Sequence, residues 1–149
     1  ACADGAFARL QTLHLYGNSI RDKGMLSLCK AISLGAPHAS LMSFIVVLGL
    51  HNNGIGDSGV RGLTDVVLKG ALTTCRELYL HGNVIGQEGI ANLADALSQG
   101  AMASLTKLTL YGNPSNEAPV VAVMKRRESA QRQRNTALIA LRMQDALRP

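Results

Sequence analysis

Histidine and tyrosine are the residues of this chain with the widest chemical range, and they recur at a regular interval. All three tyrosines and three of the four histidines stand in four short phrases, as His14, Tyr16, His51, Tyr79, His81 and Tyr111. Imidazole binds zinc and transfers protons, and a phenol ring is a frequent anchor at protein interfaces. The spacing therefore raises three possibilities: a metal site, a catalytic site and a contact surface.

A metal site and a catalytic site both lack the other residues they need. His51 and His81 could lie close together on neighbouring strands, but no carboxylate or cysteine completes a ligand set beside them, and zinc takes three or four ligands. No nucleophile–base–acid motif, HExxH motif or phosphate-binding loop occurs, and Gly54 and Gly56 have the spacing of turn glycines. We therefore expect no metal, no cofactor, no small-molecule substrate and no enzymatic activity.

An asparagine closes each of the four phrases and defines the repeat that must position the rings. The phrases share the pattern Leu-x-Leu-x-x-Asn and end at Asn18, Asn53, Asn83 and Asn113, in steps of 35, 30 and 30 residues. A fixed period of this length is typical of a solenoid, in which each unit buries its apolar face against its neighbours. The alternating leucines predict a short strand with one buried face.

The asparagines themselves are expected to be structural. Where the chain turns away from each strand, an amide side chain can donate to and accept from backbone groups that the turn leaves unpaired. Stacked units would then form a ladder of amides. Loss of one amide would leave buried polar groups without partners, at a cost of about 1–3 kcal/mol each.

A helical period follows the strand in the first three units. A glycine stands six residues after the asparagine, at Gly24, Gly59 and Gly89, and an apolar stripe at i, i+3 and i+7 comes next. A second glycine eleven residues later fits the left-handed cap that ends a helix; these glycines are Gly35, Gly70 and Gly100.

Strand, turn, helix and turn, with LxxLxLxxN at the strand, resemble the leucine-rich repeat family over about residues 5–113. The period of about 30 residues and the full helix are similar to its ribonuclease-inhibitor-like subclass. The resemblance implies an α/β fold, a right-handed β/α superhelix with a concave parallel sheet and convex helices. We assign residues 1–116 to four repeat units, and residues 117–149 to a basic C-terminal helical cap.

The ends and the first interval depart from the repeat. The five extra residues between Gly35 and Leu48 could form a surface loop at Pro37 and His38, or lengthen the second strand over 41–47. Residues 5–13 align with 100–108, so the first unit begins in the middle of a repeat. We expect the chain to be a fragment of a longer repeat protein, or its open end to be covered by a partner.

The C-terminal segment carries the whole charge excess. Residues 1–119 hold eight basic and eight acidic side chains, whereas residues 120–149 hold seven and two, for a net charge of +5. A helix is predicted from about 117 to 133. Residues 138–143 read either as a degenerate fifth strand or as further helix. The basic side chains of interest are Lys125, Arg126, Arg127, Arg132 and Arg134.

This basic tail has three open interpretations. It could be a solvated helix face, a docking site for an acidic protein, or a contact for nucleic acid or anionic lipid. The tail contains no aromatic residue to stack on bases, which weakens the nucleic-acid reading.

Side chains between the leucines point to the concave strand face. Tyr16, His51, His81 and Tyr111 should form one column, about 4.8 Å apart from strand to strand. The predicted protein-binding residues are His14, Tyr16, His51, Glu77, Tyr79, His81, Lys107, Thr109 and Tyr111. They favour a non-catalytic module that binds a protein partner on this face. The alternatives are a permanent structural subunit of a large assembly, and a regulatory repeat domain of a larger sensor or GTPase-activating protein.

Cysteine usage and hydropathy bear on the compartment. Cys2, Cys29 and Cys75 are odd in number and form no CxxC pair, so we expect free buried thiols in a reducing, intracellular compartment, cytoplasmic or nuclear. No apolar run reaches the ~18 residues needed to span a membrane, and the longest covers only 41–50.

Overall fold

The computed structural model describes residues 10–33 and 44–146, and in them four strands alternate with four helices. The strands are β1 (Thr12–His14), β2 (Val47–Gly49), β3 (Glu77–Tyr79) and β4 (Lys107–Thr109). The helices are α1 (Arg21–Ser33), α2 (Asp57–Leu68), α3 (Gln87–Ser98) and α4 (Ala118–Ala146).

The four strands form one parallel sheet in sequence order, β1-β2-β3-β4. The first leucine of each phrase is in register across the sheet, Leu13 with Leu48, Leu48 with Leu78, and Leu78 with Leu108. Each helix packs on the next, because every unit buries an apolar stripe only against its neighbours. This arrangement confirms the predicted α/β solenoid with four strand units.

The alternating leucines form the core between the sheet and the helices. Leu48, Leu50, Leu78 and Leu80 are at most 1% exposed. Their counterparts in the first unit are only partly buried. In the second unit Ile45 fills the buried position three residues before the strand leucine.

The long first interval is only partly described. β2 begins at Val47 and is three residues long like the other strands, so residues 44–46 do not lengthen it. The proposed loop at Pro37 and His38 lies outside the described residues. So do residues 1–9, on which the predicted mid-repeat start depends.

The predicted amide ladder is present, and Asn83 shows how it works. Its Oδ1 accepts hydrogen bonds from the backbone N–H groups of Asn53 (3.0 Å) and Ile55 (3.1 Å). Its Nδ2 donates to the carbonyls of Leu50 (3.1 Å) and Leu80 (2.8 Å). One buried amide therefore fastens the turn of the preceding unit to its own.

The other asparagines repeat these contacts to different extents. Asn53 Oδ1 accepts from Asn18 N–H (2.9 Å) and Ile20 N–H (3.3 Å), and Asn113 Oδ1 accepts from Ile85 N–H (3.0 Å). The Asn18 side chain donates only within its own turn, and its Oδ1 accepts no hydrogen bond within the described residues. The ladder is thus complete at its centre and weakest in the first unit.

A second ladder joins the helix N-termini, and it has no counterpart in the sequence analysis. Asp57, the first residue of α2, accepts hydrogen bonds at Oδ1 from Gly86 N–H (2.7 Å) and Gly89 N–H (2.8 Å) at the start of α3. Asp22 does the same for α2. The helix cap therefore comes from the preceding unit, and a Cβ on Gly89 would lie 2.5 Å from Asp57 Oδ1.

Replacing Asp57 with alanine should lower the free energy of unfolding by about 1–2 kcal/mol, the usual value of a helix N-cap. Two N–H groups of α3 would lose their acceptor, and the carboxylate would no longer oppose the positive end of the helix dipole. Urea unfolding measures this. Asp65→Ala, an exposed change in the same helix, is the matched control, and equal losses in both variants would contradict the inter-unit cap.

The second and third helices begin earlier than the sequence pattern predicts and end as it predicts. α2 and α3 begin two residues before Gly59 and Gly89, because those glycines occupy the third helical position beside the capping aspartate. Gly70 (φ +92°) and Gly100 (φ +96°) have the left-handed conformation expected of C-terminal caps.

The last helix is much longer than the 117–133 predicted. α4 continues as one helix to Ala146, so residues 138–143 are helical and form no fifth strand. The side chains of 131–143 are all exposed, because the second half of α4 extends beyond the repeat on which its first half packs.

The two cysteines in the described residues are buried and form no disulfide. Burial raises the pKa of both thiols, Cys29 and Cys75, to about 11. They are therefore protonated and unreactive at neutral pH. Cys2 lies outside the described residues.

Candidate functional site

Four aromatic rings stack in one column across the sheet. The ring centroids of Tyr16 and His51 are 4.5 Å apart, those of His51 and His81 are 4.3 Å apart, and those of His81 and Tyr111 are 4.5 Å apart. The interplanar angles are 14–16°. We call these four residues the ring column. Parallel strands are spaced about 4.8 Å apart, so identical register brings flat side chains into stacking distance.

The ring column is exposed at its ends and more covered at its centre. Tyr16 is 52% exposed and Tyr111 is 62% exposed, whereas His51 and His81 are partly buried. The Nδ1 atom of His51 is buried and has no hydrogen-bond partner among the described residues. Each inner ring is held by neighbours on two sides, so the column is ordered before any partner arrives.

Tyr79 braces the inner rings from the neighbouring column. Its ring meets those of His51 and His81 edge to face, with centroids 6.2 Å apart in each pair. His81 Nδ1 lies 2.9 Å from Thr109 Oγ1. At the other end His14 packs edge to face on Tyr16, at 5.6 Å.

The absence of a side chain at Gly49 leaves space for the His14 ring. This glycine sits between His14 and Tyr79 in the sheet register. A Cβ at Gly49 would lie 2.7 Å from His14 Nδ1. The missing side chain therefore leaves room for the imidazole to lean over β2.

A charged cluster lies beside the rings. Lys107 Nζ donates a hydrogen bond to the Tyr79 hydroxyl (2.9 Å) and stands 3.7 Å from Glu77 Oε2. The Tyr79 hydroxyl in turn donates to Glu77. The hydrogen bond to Tyr79 raises the pKa of Lys107, and Glu77 adds to the effect. Because the ion pair is exposed, it fixes geometry more than it stabilises the fold.

Lowering the pH below about 6.5, the ordinary histidine pKa, should destabilise the fold through His81. Its partial burial lowers its pKa, and the charge of His51 lowers it further. The unfolded chain then binds the proton first, so stability is full above this pH and falls as the pH drops through the folded pKa. The other groups in contact with His81 are Tyr79, Thr109 and Tyr111, and none of them is a carboxylate or an amine.

His81→Phe keeps the stack and removes the titration, so it serves as the test. Urea midpoints at pH 7.5 and pH 5 should differ less in this variant than in the wild type. An unchanged difference would contradict the role given to His81.

The basic side chains of α4 divide into two groups. Arg127 is partly buried and donates to the carbonyls of Ala101 (2.7 Å), Met102 (3.1 Å) and Leu97 at the end of α3. Burial lowers its pKa. Arg132 pairs with Glu128 one turn away.

Of the five basic residues singled out in the sequence, the remaining three, Lys125, Arg126 and Arg134, are exposed. Arg127 is therefore occupied in holding α4 on α3, and the other four are on the surface. None of the five touches the ring column in the described structure.

The described residues contain no cluster of three or more potential metal ligands. Within the same ranges no helix has the length and apolarity required to cross a bilayer. The arrangement at the ring column is that of a preformed surface: flat rings, two exposed phenols and a lysine–glutamate pair at the side.

Comparison with known proteins supports the fold. A family model described as Leucine Rich repeat matches residues 10–29. No curated protein matches the sequence significantly. Among solved structures, Leiomodin-1 Actin-Binding Site 2 (ABS2) matches with a TM-score of 0.65 and 14% sequence identity, covering 90% of this chain and 90% of that one. At this identity the likeness concerns the fold alone.

Proposed function

We propose that this leucine-rich repeat chain is a non-catalytic protein-interaction module that binds a protein partner on its concave strand face. The observation that carries the proposal is the ring column, in which four stacked rings stand in order, each two residues beyond the end of its strand. Binding usually costs about 0.5–1.5 kcal/mol for each flexible side chain that becomes fixed. Rings already held by their neighbours avoid most of that cost.

The chemistry of the face fits a protein surface better than a small molecule. The exposed phenols of Tyr16 and Tyr111 combine apolar area with a polar tip, which is the property that makes tyrosine frequent at binding hot spots. Glu77 and Lys107 add charges of both signs beside them. The face is an open four-stranded sheet, which suits a broad partner.

The comparisons agree with a binding role without naming a partner. The Leiomodin-1 structure is by its title an actin-binding site, so a fold of this shape carries a protein-binding site elsewhere. We also propose the ribonuclease-inhibitor-like subclass, supported by the 30-residue register steps and the helix of 12–13 residues in each of the first three units. The buried thiols support an intracellular location.

Photo-cross-linking tests the proposed face. A benzophenone amino acid at position 111 should cross-link a discrete partner in extract of the native source, and the same probe at Leu68, exposed on α2, should not. Equal cross-linking from both positions, or from Leu68 alone, would overturn the proposal.

Washing the uncross-linked complex in high salt then separates two of the alternatives. A stoichiometric complex that survives indicates a permanent structural subunit, and a transient one indicates a recognition module. A regulatory repeat domain of a GTPase-activating protein would be recognised by a cross-linked partner that is a GTPase. One of a larger sensor would be recognised by a native polypeptide that also contains the sensing domain.

A further inference from the structure

The open side of β4 borders a groove that the ring column does not use. It has a volume of about 1160 Å³ and lies between the last strand and the first half of α4. Half-buried Leu108 forms part of its apolar lining, with Met124 and Val121 on α4, the latter 39% exposed. We call this space the end groove.

Backbone groups at the edge of a strand hold the next strand in this sheet, as β3 shows. The N–H groups of Leu80 and Gly82 each donate to a carbonyl of the β4 segment, both at 2.9 Å. The carbonyl of Arg76 accepts two N–H groups from that segment, both at 2.9 Å. Next to the strand pairs themselves, two donors and one acceptor therefore recur at the pairing edge of the first three units.

The same three groups of the fourth unit are unpaired. They are the N–H groups of Leu110 and Gly112 and the carbonyl of Thr106, and none of them has a hydrogen-bond partner in the described part of the chain. An edge of this kind is a template for one more strand.

The charge around the end groove favours a bound strand that carries acidic side chains. Six basic and two acidic side chains line it, an excess of four positive charges. The basic ones are Arg76, Lys107, Lys125, Arg127, Arg132 and Arg134, and the acidic ones are Glu117 and Glu128. Four of the basic side chains have no acidic partner within 10–33 and 44–146. Arg127 among them is bonded to carbonyls, which leaves Arg76, Lys125 and Arg134 available to an acidic ligand.

We propose that the end groove binds an extended acidic segment of another protein, which adds to β4 as a fifth parallel strand. Its backbone pairs with Thr106, Leu110 and Gly112. Its apolar side chains enter the groove beside Leu108, and the acidic side chains between them lie on the strand face beside Lys107. Acidic side chains at the ends of the segment lie near the basic rim at Arg76, Lys125 and Arg134. This site lies beside Tyr111, at the fourth-unit end of the ring column, and does not reach Tyr16 at the opposite end.

The probe is a fluorescein-labelled peptide, Leu-Glu-Glu-Leu-Glu-Leu-Glu-Gly-Asn, which repeats the strand pattern of the chain with acidic side chains between the apolar ones. Fluorescence anisotropy measures its Kd. Amide hydrogen exchange, followed by NMR, should slow at Leu110 and Gly112 by about tenfold or more when the peptide is bound. A peptide with proline in place of the central glutamate should not bind, because proline removes a ladder N–H.

Charge reversal at the rim tests the location. The double variant Lys125→Glu/Arg134→Glu should weaken peptide binding by about tenfold or more, as expected for two ion pairs turned repulsive. The matched control is Arg126→Glu/Arg142→Glu, which changes the net charge equally on the same helix outside the groove. Tyr16→Ala, in the ring column, should leave peptide binding unchanged whether or not the ring column binds its own partner.

Several outcomes would overturn the proposal: no binding of the peptide, equal binding of the proline peptide, or unchanged exchange at Leu110 and Gly112. Equal weakening of peptide binding by the control double variant would show that the peptide is attracted by the overall positive charge of the helix and not by a specific site. Displacement of the peptide by oligothymidine would assign the groove to nucleic acid.

Discussion

Replacing Asn83 with alanine should lower the free energy of unfolding by about 3–5 kcal/mol, the upper range for a single substitution. Asn83 is 4% exposed and makes four hydrogen bonds to the backbone of two units. Alanine would leave the N–H groups of Asn53 and Ile55 without an acceptor. The carbonyls of Leu50 and Leu80 would each lose one bond and keep another, from Asn53 and Asn113 respectively. Each buried polar group left without a partner costs about 1–3 kcal/mol.

The chain offers its own control for this substitution. Asn18 belongs to the same pattern, but its side chain is exposed and bonds only to Leu15 and Tyr16 in its own turn. Asn18→Ala should therefore cost less than about 1 kcal/mol, within the usual range of surface changes, and Asn113→Ala should fall between the two. Urea unfolding gives all three values. Equal losses at Asn18 and Asn83 would contradict the inter-unit ladder.

The double substitution Tyr79→Ala/Tyr111→Ala should weaken binding of the cross-linked partner by about 100-fold. Each tyrosine truncated at a binding hot spot costs about 2 kcal/mol or more, and such losses are not additive. Tyr111 ends the ring column, and Tyr79 braces both histidines and holds Lys107.

Loss of binding must not reflect loss of folding. Tyr111 is 62% exposed and Tyr79 is partly buried on the surface of the sheet, so most of the core remains in the double variant. Its far-ultraviolet circular dichroism and urea midpoint should stay close to those of the wild type. A large fall in the urea midpoint would mean that the lost affinity results from unfolding, and it would contradict a direct role of the two rings.

The sequence predicted the fold because its strongest signal is local and periodic. Alternating leucines and the asparagine at a fixed step determine the strand, its buried face and its register, and the register alone brings Tyr16, His51, His81 and Tyr111 into one column. The stacking angles could not be predicted, since they depend on χ angles selected by contacts between units. The space above Gly49 that His14 fills is likewise visible only in three dimensions.

The elements that the sequence analysis missed depend on contacts between units. The cap of α3 comes from Asp57, 29 residues earlier, so a search for a cap next to the helix could not find it. The sequence predicts α4 to about 133 and leaves residues 138–143 either as further helix or as a degenerate fifth strand, because helix propensity alone does not separate the two. Arg127 was grouped with a surface charge run, and only the packing of α4 shows that it caps the end of α3.

The most direct measurement of the central claim is calorimetric titration of the cross-linked partner into two matched double variants. Tyr79→Ala/Tyr111→Ala changes the strand face, and Leu68→Ala/Lys69→Ala changes exposed residues at the end of α2. We predict that the first raises the Kd by about 100-fold and that the second leaves it at the wild-type value. A wild-type Kd in the tyrosine variant, or an equal increase in both, would contradict binding on the strand face.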